Sequence, residues 1–168
     1  LWGVVTDQKS REGLISATRA DDIANLWKAR KALSPLLREI APKKINEDVV
    51  VPVNTLPQFL DNVTQLSTHY KINNVNFGHA GNGNIHVNLL INPDDPDEVS
   101  RAACCLDEIF NLVIKLRGTL SGEHGIGSEK RAFITKEIDF ATLDLMKGIK
   151  KVFDPANILN PGKLFPQN

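Results

Sequence analysis

Three of the four histidines in this 168-residue chain fall in two glycine-rich stretches. The first reads Gly78-His79-Ala80-Gly81-Asn82-Gly83-Asn84-Ile85-His86-Val87-Asn88. If residues 84–91 form a strand, Ile85, Val87, Leu89 and Ile91 face one way, and Asn84, His86 and Asn88 face the other. A tight glycine hairpin would fold His79 back beside His86. Strand parity groups His79 with Val75 and Phe77, so a bulge near Gly78 or Ala80 is expected. Two imidazoles brought together suit a borderline ion such as zinc. The alternative is a hydrogen-bonded structural pair, since zinc sites usually take at least three protein ligands.

The second stretch is Ser121-Gly122-Glu123-His124-Gly125-Ile126-Gly127. Glycine lets the backbone approach a ligand closely. Glu123 is a candidate third ligand. His124 is a candidate general base, because an imidazole titrates near working pH. A tight turn with a solvated Glu-His pair explains the same residues. Phosphate binding ahead of Ser128 is a third, weaker reading; only Lys130 and Arg131 lie near to support it. Arg30 falls on the apolar stripe of a helix marked by Ile23, Leu26, Trp27, Leu33 and Leu37. A guanidinium there snorkels, pairs with a carboxylate of the protein, or serves as a fork for a substrate carboxylate.

These residues need elements to hold them. A helix is expected from Asp21, ended or bent at Pro35. Val49, Val50 and Val51 form a strand stopped by Pro52. Thr55 stands where it can cap the next helix, with Pro57 in its first turn. Strands over 75–79 and 84–91 flank the glycine hairpin. Asp95, Pro96 and Glu98 open a long helix as cap, first-position proline and capping-box acid, and Gly118 closes it. Residues 119–123 read as a last short strand, followed by helices near 128–135 and 140–153. The order strand, helix, strand, strand, helix, strand is the ferredoxin-like split βαβ arrangement. It predicts an α+β fold: an antiparallel sheet with helices on one face, plus C-terminal helices. The chain is read as one domain: a lead-in over 1–20, a helical segment over 21–45, a core over 46–125, and helices with an ordered tail over 126–168.

Composition narrows the function. Twenty basic and twenty acidic side chains give a formal net charge of zero, which argues against a nucleic-acid partner. No apolar run reaches the roughly 18 residues of a membrane span. The adjacent Cys104 and Cys105 make a poor staple and fit a reducing compartment. Leu1 is not an initiator Met, so the chain is expected to be part of something longer.

Five motifs, in this order, resemble the C-terminal part of the FAD-linked oxidases that act on D-2-hydroxy acids, a group that includes glycolate oxidases, D-lactate dehydrogenases and D-2-hydroxyglutarate dehydrogenases. They are Leu26-Trp27-Lys28-Ala29-Arg30, Glu47-Asp48-Val49-Val50-Val51-Pro52, the run from Gly78 to His86, the run from Ser121 to Gly127, and Asn160-Pro161-Gly162-Lys163. The resemblance implies a divalent metal, with zinc favoured, held by His79, His86 and Glu123, and a proton acceptor at His124. It implies a substrate carboxylate at Arg30, a substrate-side Asn88, and lesser substrate contacts at Ser34 and Lys44. It implies a tail with Asn160, Gly162 and Lys163 against the flavin. The implied partners are a small 2-hydroxy acid and an N-terminal FAD-binding domain, which this chain lacks; a dimer or further oxidase subunits fit as well. The implied location is the cytoplasm, or the mitochondrion of a eukaryote, with membrane association only through partners. Two departures stand out. Asn82 replaces a common Asp in the hairpin. Val53-Asn54 replaces a common Arg-Ser, so any substrate or flavin contact of that Arg is missing. A non-catalytic metal-binding or assembly module of a flavoprotein is the alternative from another class.

Overall fold

The computed structural model describes residues 16–166, so most of the expected lead-in lies outside the described residues. The chain forms two compact units, Leu1–Ile40 and Ala41–Asn168. In the first, helix α1 runs over Ala20–Ile40 with Asp21 and Asp22 in its first turn and Arg38 in its last. Those charges match the helix dipole at each end. Pro35 does not stop this helix, which continues to Ile40. Proline removes only one donor from the ladder, and the turns on either side keep theirs.

The second unit is built on an antiparallel sheet of three strands in the order β1-β3-β2. These are β1 (Lys43–Val50), β2 (Asn73–His79) and β3 (Asn84–Ile91). Strand β1 begins well before the valine run, because Lys43 to Asp48 pair in register with β3. Helices α2 (Leu56–Tyr70) and α3 (Pro96–Lys115) follow β1 and β3 respectively. Phe59 and Val63 of α2 and Ile109, Phe110 and Val113 of α3 pack with Val49, Ile85, Val87, Leu89 and Ile91 of the sheet, and all are buried. This is the alternation read from the sequence, with the apolar side of β3 turned to the helices.

The ends of α3 show how local chemistry sets the frame. Asp95 caps the helix by accepting from the N–H groups of Asp97 and Glu98 at 3.0 and 3.1 Å. Glu98 does not close a capping box; it reaches back to the Asn92 N–H at 3.0 Å instead. At the other end the Arg117 N–H donates to the Ile114 carbonyl and the Gly118 N–H to the Val113 carbonyl. That is a Schellman motif, but its left-handed residue is Arg117, at φ 60°, not Gly118. Glycine is needed at 118 for another reason: a Cβ there would stand 2.2 Å from the Val50 carbonyl oxygen. Gly118→Ala is therefore expected to cost about 1–3 kcal/mol or more, read as a lowered melting temperature. An unchanged melting temperature would refute the close approach.

Three other expectations change. Thr55 stands at the N-cap of α2, but its hydroxyl donates back to the Pro52 carbonyl, so it supplies no side-chain cap. The last strand is reduced to a single antiparallel bridge, Val50 with Thr119. The helix near 128–135 is one four-residue turn, α4 (Gly127–Lys130), followed by a 3-10 segment over Arg131–Lys136.

Helix α5 (Phe140–Phe153) then leads to an irregular tail. The tail is ordered by Asp154, whose carboxylate accepts from Lys150 and from the N–H groups of Ile158 and Leu159 at 2.5, 2.8 and 3.1 Å. The Lys150 bond leads the interactions that hold this carboxyl below the usual range, against the opposing effect of burial. A carboxyl depressed on folding contributes stability above its unfolded value of about 3.9, which is lost as pH falls through the lower folded value. Amide-exchange protection at Ile158 and Leu159 should thus be full near neutrality and fall under acid. Asp154→Asn should remove that pH dependence. Protection that stays constant into strong acid would show that the carboxylate does not hold the tail.

Candidate active site

The sheet's second face gathers the polar residues. Register places Phe77 opposite His86 and His79 opposite Asn84. Directly opposed residues share a face, so His79 and His86 lie on the same side as diagonal neighbours, with ring centroids 5.8 Å apart. No bulge is involved. The parity conflict disappears because Val75 and Phe77 lie on this polar face and only partly buried, outside the core cluster.

Strand β1 adds Asp48 opposite His86 and Asn46 opposite Asn88. Past the Thr119 bridge the chain curls back over this face instead of continuing as a strand. The reason is Asp48. Its Oδ2 accepts from the N–H groups of Gly122 at 2.8 Å, Glu123, and His124 at 2.9 Å. Three consecutive N–H groups converging on one carboxylate oxygen form an anion nest. Gly122 makes the close approach possible, since a Cβ there would meet Asn84 Oδ1 at 2.7 Å. Lys130, itself buried, donates to the Asp48 carbonyl at 2.8 Å and to Oδ1. Its Nζ also lies 3.5 Å from Glu47.

This clasp sets Glu123 and His124 over the histidine pair. Glu123 Oε1 lies 3.1 Å from His86 Nε2 and 4.0 Å from His124 Nε2. The His124 ring stacks on His86 at 5.3 Å between centroids and 28° between planes. One ligand atom from each of His79, His86 and Glu123 falls within 4.8 Å of the other two. Two ligands bound to a tetrahedral ion at about 2.0–2.1 Å sit roughly 3.3 Å apart, near the His86–Glu123 separation. Burial pushes the His86 imidazole below its usual value, with Glu123 opposing and the other two imidazoles reinforcing. A neutral imidazole is the form a metal ligand requires. The donor set therefore fits a divalent cation of the zinc type. The His86 Nδ1 is buried without a hydrogen-bond partner, so this imidazole lacks the outer partner that often orients a metal-bound histidine.

The Asp48 carboxyl behaves differently. Burial works to raise it, but the Glu123 N–H, the Lys130 ammonium and the His124 N–H together bring it down to about 2. It is ionised throughout the working range.

Residues 4–164 match the family described as FAD linked oxidases, C-terminal domain. The chain belongs to that family. It is similar to the glycolate oxidase subunit GlcD of Bacillus subtilis, 34% identical over 153 residues, covering 91% of this chain and 33% of that protein. It is also similar to the probable mitochondrial D-lactate dehydrogenase of Danio rerio, 35% identical over 143 residues, with 84% of this chain and 29% of that protein covered. A D-2-hydroxyglutarate dehydrogenase of Stutzerimonas stutzeri is 36% identical over 159 residues, with 92% of this chain and 33% of that protein covered. The chain thus spans about a third of the length of these relatives.

The remaining residues of interest in this FAD-linked oxidase domain are spread more widely. Asn88 is fully buried on the polar face, its amide donating to the carbonyls of Val75 at 3.0 Å and His86 at 3.1 Å. Its Oδ1 has no partner, nor does that of Asn46 opposite it. Lys44 lies on the same face of β1, opposite Leu90. Arg30 and Ser34 belong to α1, in the other unit. Arg30 is exposed, so in this chain its charge needs no anion to offset burial. Asn160, Gly162 and Lys163 form a turn closed by the Lys163 N–H on the Asn160 carbonyl at 3.3 Å, with Asn160 and Gly162 at positive φ. The phosphate reading near Ser128 loses one of its two cations, because Lys130 is committed to Asp48. Among the described residues no helix is long and apolar enough to cross a membrane.

Sequence reasoning assigned no role to Asp48. Its signal is an acid immediately ahead of the β-branched run Val49–Val51. Such a residue, once buried, requires partners.

Proposed function

We propose that this chain is the substrate-side domain of an FAD-dependent dehydrogenase that oxidises a D-2-hydroxy acid to the 2-oxo acid. The observation that carries this reading is the meeting of His79, His86 and Glu123 with His124 stacked against them, in a member of an FAD-linked oxidase family. The names of its relatives point to glycolate, D-lactate and D-2-hydroxyglutarate as the substrate class.

His79, His86 and Glu123 would hold a divalent cation, with zinc favoured by the nitrogen donors. Such an ion, when bound, polarises an oxygen and lowers the pKa of a hydroxyl. FAD, held mainly by an N-terminal domain, supplies the hydride acceptor. His124 takes the hydroxyl proton as C2 gives up its hydrogen with both bonding electrons. Arg30 would bind the substrate carboxylate, and Ser34 and Lys44 are lesser candidates for substrate contacts. Asn88 offers an unpartnered amide oxygen on the same face. Asn160, Gly162 and Lys163 would lie against the flavin. The cytoplasm, or the mitochondrion of a eukaryote, goes with this reading. So does assembly with a second copy or further oxidase subunits.

The test is anaerobic. D- and L-lactate, glycolate and D-2-hydroxyglutarate are added separately to the full-length flavoprotein, and the oxidised-flavin absorbance is followed. Bleaching by glycolate or a D-acid, abolished by a chelator, is the expected result. A flavin-loaded protein that none of these acids bleaches would overturn the reading and bring the assembly-module alternative forward.

A further inference from the structure

We propose that Asp48 is a positioning residue for His124: it fixes the ring so that Nδ1 carries the proton and Nε2 is the nitrogen that accepts one. This rests on the proposed dehydrogenase reading, and it assigns a role to a residue outside the expected site.

The two oxygens of Asp48 divide the work. Oδ2 is filled by the N–H groups of Gly122, Glu123 and His124. Oδ1 takes the Lys130 ammonium and lies 3.5 Å from His124 Nδ1. A carboxylate oxygen has lone pairs for both, and a catalytic hydrogen bond is often long before substrate binds. The other ring nitrogen points the opposite way, 4.0 Å from Glu123 Oε1, toward the proposed ligand cluster. Stacking on His86 restricts the plane of the ring. His124 is therefore held by its own backbone N–H and by its face, and this leaves Nδ1 turned to Asp48 Oδ1.

The chemistry of a base needs this arrangement. A neutral imidazole has one acceptor nitrogen, and the hydrogen bond at the other decides which it is. A carboxylate paired with a buried ammonium and facing Nδ1 keeps the proton there and stabilises the imidazolium formed once Nε2 has taken the hydroxyl proton. Asp48 is fully buried and Lys130 is 2% exposed. The carboxylate is thus shielded from water and held in place by its own counter-ion. Lys130 acts through Asp48.

The test uses the full-length flavoprotein labelled with 15N-histidine, the His124 signals being assigned by their loss in His124→Ala. The expected spectrum shows neutral His124 protonated at Nδ1; protonation at Nε2 overturns the proposal. In parallel, Asp48→Asn is expected to lower flavin reduction at saturating substrate at least about 100-fold, with the substrate Kd changed less than about threefold and metal content retained. Because Asp48→Asn leaves the buried Lys130 ammonium with Glu47 as its remaining carboxylate, the double variant Asp48→Asn/Lys130→Met, which removes both charges of the Asp48–Lys130 pair, is measured beside it. Wild-type reduction rates in either folded variant overturn the proposal. So does a loss of rate accompanied by loss of metal, which would make Asp48 a folding element of the loop. If the wild-type flavin is reduced by none of the acids, the dehydrogenase reading fails, while the tautomer still decides the Asp48–His124 pairing.

Discussion

Replacing His124 with alanine should lower turnover by roughly 100- to 10,000-fold, the span expected when a general base is removed, and leave the fold nearly unchanged. The second half follows from exposure: the His124 side chain is 43% exposed, so its removal opens no core cavity. The backbone N–H that ties residue 124 to Asp48 survives in any residue. The loop should keep its shape, and Glu123 its place. The measurement pairs steady-state turnover with thermal melting. A melting temperature within a few degrees of wild type and a collapsed rate would separate chemistry from folding. Near-normal turnover would remove His124 from the mechanism.

The second large effect is expected at His86. Its nitrogen is shared between the proposed ligand set and the stack that carries His124. His86→Ala should lose bound metal, read by elemental analysis of the purified protein, and with it all measurable flavin reduction. Unlike His124, His86 is only 5% exposed and sits in the central strand. Truncation there should also destabilise the fold by about 1–3 kcal/mol. Glu123→Gln separates the two losses. Glu123 is half exposed, and the variant keeps its size while weakening a ligand, so metal should fall with little change in melting. Wild-type metal content in both variants would sink the ligand assignment.

Much of this architecture was legible because its signals are local. The alternation of Ile85, Val87 and Leu89 with His86 and Asn88 identifies a central strand and its two faces. Asp95 followed by Pro96 marks a helix start at short range. The sequence was least legible where distant groups decide. Residues 119–123 have the composition of a strand, yet their N–H groups go to a carboxylate from another strand rather than to a ladder. Gly118 reads as a helix terminator, but its lack of a side chain answers to the Val50 carbonyl, and Arg117 takes the strained turn. Arg30 falls on an apolar stripe in the sequence yet is exposed, because spacing alone does not fix burial. The nearness of His79 to His86 followed from hairpin geometry once Phe77 was allowed on the polar face. Asp48 is the clearest limit, since its partners Gly122, Glu123, His124 and Lys130 all lie far along the chain.

That separation has a consequence for how the site comes into being. The bond from the Gly122 N–H to Asp48 joins residues 74 positions apart. Closing so long a loop is entropically unfavourable until the intervening elements have packed. The hairpin that carries His79 and His86 is local and forms early by comparison. A chain emerging from the ribosome thus displays two imidazoles well before the acid and the base that complete them. Tight capture of the proposed ion would then be a late event in biosynthesis, waiting on the segment after Thr119, and His124 would arrive in the same movement as Glu123.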